Sequence, residues 1–183
     1  MNSSVRESSN KIELRNLYKI FGPNPRSALR AVEEGRFQKQ DLLEQTGHVL
    51  GLENISIGIK AGEITVIMGL SGSGKSTLIR HVNRLIEPTA GKIFVEGQNI
   101  LGCSAEEMRN IRRERMSMVF QKFALLPHKS VVENAALPLE VRGFPRKSNV
   151  LEARNWLKRV GLADYAESYP HQLSGGMQQR VGI

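Results

Sequence analysis

A chain of 183 residues with 40% hydrophobic content can build one domain of ordinary size, which excludes global disorder. Its longest apolar run, about 64–70, is too short to span a bilayer, and its one cysteine, Cys103, cannot form an internal disulfide. The net charge of +8 is spread along the chain, and the basic cluster Arg109, Arg112, Arg113 and Arg115 is interleaved with Glu106, Glu107 and Glu114, which argues against a nucleic-acid partner.

Residues 1–10 read as a Ser/Asn-rich disordered tail without the apolar core of a signal peptide, so a cytosolic setting is expected. Lys11 to Leu17 alternates like a strand, with Ile12, Leu14 and Leu17 against Glu13, Arg15 and Asn16. GPNP at 22–25 is a turn. Residues 26–45 have helical periodicity broken near Gly35, and Gly47 and Gly51 punctuate the exit. Glu53 to Ile59 alternates again. AGE at 61–63 is read as a hairpin turn, and ITVIMG after it as a strand buried on both faces.

Ser76 to Ile86 reads as a helix stopping before Pro88, and KIFVEG at 92–97 as a short strand. Ser104 caps a helix running to about Arg113, with Glu106 and Glu107 where the dipole favours acids. MSMVF at 116–120 is expected to be a second buried strand. Residues 123–170 are mostly helical, with Val150, Ala153, Leu157 and Val160 on one face. This order predicts a parallel α/β core carrying an antiparallel part and an all-helical piece.

The strongest chemical signal is GLSGSGKST at 69–77, which matches G-x-x-x-x-G-K-[ST] between an apolar run and a helical pattern. Gly69, Gly72 and Gly74, with Ser71 and Ser73 between them, let the backbone wrap a phosphate closely. The loop N–H groups and the helix N-terminus make the anion site. Lys75 is placed to reach the β- and γ-phosphates and Ser76 to ligate Mg²⁺, with Thr77 beside it. A second glycine pair, LSGGMQQ at 173–179, opens another helix with Ser174 at the cap position; it reads either as a flexible helix entry or as a second anion site.

A phosphate loop, the strand end Val119-Phe120-Gln121 and LSGGMQ, in this order, resemble the nucleotide-binding domain of ABC transporters. The resemblance implies the P-loop NTPase fold of ABC ATPases, α/β with antiparallel β and helical subdomains, and ATP with Mg²⁺ as ligands. It implies that Phe21 stacks on adenine and that Gln121 senses Mg²⁺ and the attacking water. It further implies that Ser174, Gly175, Gly176 and Gln178 close on the γ-phosphate bound to an opposite subunit. On this reading residues 11–121 form the ATP-binding core with an insert at about 23–51, residues 122–174 the helical subdomain, and 175–183 the start of a helix returning to the core.

NLYKIFG, the helical insert ending in a TG…LG stretch, HVNRLIEPTAG and FALLPH narrow the resemblance to the ATPase subunits of importers for glycine betaine, proline and other quaternary amines. Such a subunit is peripheral on the inner face of the cell membrane. Its partners are a permease, a second ATPase subunit across ATP and, indirectly, a solute-binding protein. The segment 123–143 resembles the groove for the permease's coupling helix; Phe123, Leu125 and Leu126 read equally as core of the helical piece. The four histidines, His48, His81, His128 and His171, lack metal-ligand spacing and read as surface or packing residues.

Phosphate-loop ATPases hold Mg²⁺ with an acid at the end of a neighbouring strand. The two aspartates, Asp41 in the insert and Asp164 in GLADYAE, do not follow an apolar run, and Glu96 turns at once at Gly97. The family's catalytic glutamate and switch histidine have no counterpart up to Ile183. The expectation is therefore an N-terminal piece, lacking the C-terminal part of the core, that binds ATP with little hydrolysis of its own. The alternatives are a soluble non-transport ABC-type protein and a non-catalytic remnant. The solute is not encoded, because the ATPase never touches it.

Overall fold

The computed structural model describes residues 10–37, 39–121 and 123–183; the expected tail at 1–10 lies almost wholly outside them. The chain divides into two compact units, Met1–Arg112 and Arg113–Ile183.

The first unit is built on a four-stranded antiparallel sheet. Its strands are β1 (Asn10–Phe21), β2 (Val49–Lys60), β3 (Ala90–Val95) and β4 (Gln98–Asn99), in the order β2-β1-β3-β4. The alternating segments at 11–17 and 53–59 are thus the centres of two longer strands. The period slips inside β1, where the ladder to β2 shifts between Leu14 and Leu17 and Asn16 is left-handed at φ 48°. That bulge lets Leu14, Leu17 and Ile20 all turn inward, each at most 2% exposed, beside fully buried Ile93. Each such side chain contributes about 1.5–3 kcal/mol relative to exposure. Glu96 and Gly97, both with positive φ, close the two-residue β3–β4 hairpin.

Between β1 and β2 lie α1 (Pro25–Glu33) and α2 (Lys39–Thr46), separated at Gly35 as the periodicity predicts. Ala28, Leu29, Val32 and Leu42 pack with Ile20 and Leu50 into a small core of their own. His48 closes the insert at its base, its ring nitrogens meeting the Pro23 carbonyl and, at 2.9 Å, the Thr46 hydroxyl. Helix α3 (Lys75–Val82) ends four residues before the expected Ile86, in a turn where Arg84 is left-handed at φ 49°. Helix α4 (Ala105–Glu114) starts in a reciprocal cap: Glu107 N–H donates to Ser104 Oγ at 3.2 Å, and Ser104 N–H donates to the Glu107 carboxylate at 2.7 Å.

Two expected strands are absent. Residues 63–70 and 116–120 have no regular structure. Ile64 is 94% exposed and Met68 86%. AGE turns at 61–62 but makes no hairpin, since the chain after it joins no ladder. The reason is physical: a two-sided buried strand exists only when neighbours supply hydrogen bonds and cover both faces, and no described strand flanks either segment.

The second unit packs α5 (Val131–Val141) on α6 (Arg146–Arg159) and α7 (Gly175–Val181). Its core joins Val131, Val132 and Ala136 of α5 to Ala153 and Leu157 of α6, with Leu162, Ala166 and Leu173; Val150 and Val160 flank it as the shared face predicts. No helix among the described residues is long and apolar enough to cross a membrane.

Candidate nucleotide site

The glycine-rich loop leads directly into α3. Gly69, Gly72 and Gly74 have φ of 158°, 76° and 92°, and Gly74 is the helix N-cap. The loop is tied across by Ser73 N–H donating to the Leu70 carbonyl at 3.2 Å, and α3 begins with Leu78 N–H donating to the Gly74 carbonyl at 2.8 Å. Lys75 folds back, its ammonium donating to the carbonyls of Gly69 (2.8 Å) and Leu70 (2.6 Å). A positive charge and the positive end of a helix dipole therefore meet at one loop. Ser76 is exposed at the same helix start.

The loop rests on β2. A Cβ on Gly74 would stand 2.6 Å from the Gly51 carbonyl oxygen and 3.2 Å from Leu52 Cδ2, so glycine is what permits this approach. The other side of Gly51 is covered by Phe21, whose ring would lie 2.7 Å from a Cβ there. Phe21 is 39% exposed, opposes Val49 in the ladder, and carries the Lys19 ammonium 5.0 Å from its ring centroid. One residue of β2, Gly51, thus lies against both the aromatic ring and the phosphate loop.

Gln121 and residues 174–178 belong to the second unit. Gln121 is exposed in a turn where Phe123 N–H donates to the Phe120 carbonyl at 3.0 Å. Ser174 caps α7, accepting from Met177 N–H at 3.3 Å, and a Cβ on Gly175 or Gly176 would meet nothing within 4 Å. The Gln178 amide donates to the Pro170 (2.9 Å) and Leu173 (3.1 Å) carbonyls, which fixes the approach to the helix. Phe123, Leu125 and Leu126 are half-buried, between the two readings given them.

One polar side chain with structural work, Asn134, carries no signal in the sequence, and His81, read as surface or packing, is a packing residue. Buried Asn134 accepts from Leu126 N–H at 2.7 Å and donates to the carbonyls of Leu126, Lys129 and Ser130 at 2.9–3.1 Å, pinning the loop that follows Gln121. The S-x-x-E pattern at 130–133 is a capping box that would have located this helix start. His81, on α3, is fully buried: Nδ1 donates to the Thr77 carbonyl at 2.7 Å, and Nε2 has no hydrogen-bond partner. Burial pushes its pKa down, opposed by the Thr77 carbonyl. Among the described residues no group of three or more His, Cys, Asp or Glu side chains is placed to hold a metal. The oxygens of Ser76 and Gln121 are hard donors of the kind Mg²⁺ takes, usually alongside water and phosphate.

Residues 52–183 match the family pattern described as "ABC transporter". The chain is 50% identical over 173 residues to the glycine betaine/proline betaine transport system ATP-binding protein ProV of Escherichia coli (strain K12), an alignment covering 94% of this chain and 43% of ProV. It is 47% identical over 180 residues to the glycine betaine transport ATP-binding protein OpuAA of Bacillus subtilis (strain 168), covering 98% of this chain and 43% of that protein. The methionine import ATP-binding protein MetN of Carboxydothermus hydrogenoformans is 47% identical over only 135 residues, 74% of this chain and 40% of its own length. The chain therefore spans less than half the length of these relatives. A solved dimeric structure of the ATP-binding cassette MJ0796 in a post-hydrolysis state, bound to ADP and Pi, superposes with a TM-score of 0.76 at 30% identity, covering 93% of this chain and 66% of that one. Phosphate loop, antiparallel sheet, helical unit and sequence match agree: the chain belongs to the ABC transporter family.

Proposed function

We propose that this chain binds ATP through the loop 69–77, as the nucleotide-binding part of an ATP-driven importer for glycine betaine, proline betaine or a related quaternary amine. The observation that carries the nucleotide is the loop itself: glycines at positive φ, Lys75 held at its mouth, and an aromatic ring across Gly51. The solute class is supported by alignment length. The betaine-transport and trimethylamine N-oxide-transport relatives, all carriers of methylated amines, align over 94–98% of the chain, whereas the methionine relative aligns over 74%.

In this reading Gly69, Ser71, Gly72, Ser73, Gly74 and Thr77 surround the phosphates and Lys75 neutralises them. The Ser76 hydroxyl would hold Mg²⁺, which would screen phosphate charge when bound; the Gln121 side-chain oxygen is of the donor type that would serve the same ion. Phe21 stacks on the base. Ser174, Gly175, Gly176 and Gln178 meet the γ-phosphate on a second subunit. Residues 11–121, with the insert at 23–51, serve as the ATP-binding core, 122–174 as the helical piece facing a membrane permease, and 175–183 as the return to the core.

Equilibrium binding of Mg-ATP tests this reading. Lys75→Ala is expected to weaken binding about 10- to 100-fold, the scale of a lost charge-assisted contact of about 1.5–3 kcal/mol. Unchanged affinity in Lys75→Ala would refute it.

A further inference from the structure

Strand β2 is the edge of its sheet, and two things sit along it within three residues. The phosphate loop rests at Gly51 and Leu52 through Gly74. An open cavity of about 490 Å³ lies at Val49 and Leu50, walled by Lys39, Gln40 and Leu43 of α2. Phe21 stands between the two, its ring over Gly51 and its strand position opposite Val49. Directly opposed residues project from one face of a sheet, so Phe21 and Val49 share a surface. Gly51 and Val49 are two residues apart, about 6.6 Å along a strand, the scale of a nucleoside.

We propose that α2 of the insert is the outer wall of the base subsite, with Leu43 and Val49 as an apolar shelf and Gln40 as the group that reads the edge of the purine. This rests on the nucleotide reading above and deepens it. The apolar part is available: Leu43 is 50% exposed and Val49, opposite Phe21 in the ladder, 44%. Gln40 is exposed, and its amide nitrogen donates to the Glu44 carboxylate at 3.3 Å. That bond uses one of the two amide N–H donors and leaves the second N–H and the oxygen for a base. Donor and acceptor together suit a ring nitrogen and the exocyclic amino group of adenine, whereas the oxygen that guanine carries at that position opposes the amide oxygen. The wall is rigid enough to discriminate, because Leu42 is fully buried in the insert's core and His48 ties the insert shut at Pro23.

The test is equilibrium binding of ATP, GTP and inorganic tripolyphosphate to the chain and to Gln40→Ala, Leu43→Ala, Phe21→Ala and Lys75→Ala. Gln40 and Leu43 are exposed, so their truncation leaves the fold intact, which circular dichroism verifies. Expected is a loss of about three- to tenfold for ATP in Gln40→Ala and Leu43→Ala, the scale of one hydrogen bond or one apolar contact. Tripolyphosphate affinity stays unchanged in both, and the preference for ATP over GTP narrows in Gln40→Ala. ATP affinity within twofold of the parent in both variants, with a loss in Phe21→Ala, overturns the wall and leaves the stacking. Equal losses of ATP and tripolyphosphate in Gln40→Ala also overturn it, since the effect then lies in the phosphate loop. Retention of both ligands by Lys75→Ala overturns the nucleotide reading itself, and the subsite with it.

Discussion

Gly74→Ala incurs two costs that can be separated. The first is conformational: at φ 92° an L side chain is strained by about 1–3 kcal/mol wherever it sits. The second is local: the added methyl would stand 2.6 Å from the Gly51 carbonyl oxygen, inside the 3.0 Å that real Cβ contacts respect. That oxygen cannot rotate aside. It belongs to the backbone of β2, whose neighbours Leu50 and Leu52 are laddered to Ile20 and Lys19. The loop must therefore shift, and bound phosphate must pull it back against the clash. Gly72→Ala supplies the control, because Gly72 is also left-handed (φ 76°) yet a Cβ there meets nothing within 4 Å. Both variants are expected to lower the thermal midpoint. Only Gly74→Ala is expected to lose a further 1.5–3 kcal/mol or so of Mg-ATP affinity, about 10- to 100-fold by titration calorimetry. Equal ATP affinities in the two variants would refute the close approach as the reason for glycine at 74.

Asn134→Ala removes four hydrogen bonds from the loop 126–130 and is expected to cost about 2–4 kcal/mol, read as a lower urea midpoint with an unchanged slope. Ser130→Ala removes the α5 cap and is expected to cost about 1 kcal/mol by the same measurement. Glu133, held below its ordinary pKa first by the Ser130 backbone N–H and then by the hydroxyl, ties that cap to pH: the contribution is complete above the unfolded carboxylate value of 4.5 and lost as pH falls through the lowered native one. His81 acts in the same direction at higher pH. Its folded pKa is lowered, so the unfolded chain binds the extra proton, and stability falls as pH drops below the unfolded value of 6.5. The thermal midpoint is expected to decline between pH 7 and 5 more steeply in the parent than in His81→Leu; parallel curves would show that the imidazole is not the group responsible.

What the sequence made legible was local. The loop 69–77 is recognisable because its chemistry is written in nine consecutive residues. The insert helices and the α6 face are legible because a 3.6-residue period repeats over two or more turns. Even the slip in β1 has a local cause, since Asn16 tolerates the left-handed turn that moves Leu17 inward after Leu14. Asn134, and the carbonyl bonds of Gln178, escaped for the opposite reason. Their partners are carbonyls five to eight residues away in irregular segments, and no spacing rule marks an amide for that task.

The segments 64–70 and 116–120 are a different kind of failure. Their β-branched and apolar content reports an environment, burial on two faces, rather than a backbone preference. A helix carries its hydrogen bonds within itself, so α3 forms from its own residues once Gly74 caps it. A strand borrows half of its bonds from its neighbours, and β1 has them on both sides while residues 64–70 have none among the described strands. The phosphate loop nevertheless keeps its shape, because Lys75 ties it to the Gly69 and Leu70 carbonyls and Gly74 seats it on β2. These contacts hold the anion site together without the preceding segment as a laddered strand. It follows that ATP binding and the order of 64–70 are separable properties. A substitution such as Val66→Ser, at a side chain 70% exposed, is expected to leave the thermal midpoint and Mg-ATP affinity unchanged. A fall in either on Val66→Ser would mean that Val66 is covered, and that the loop depends on a strand after all.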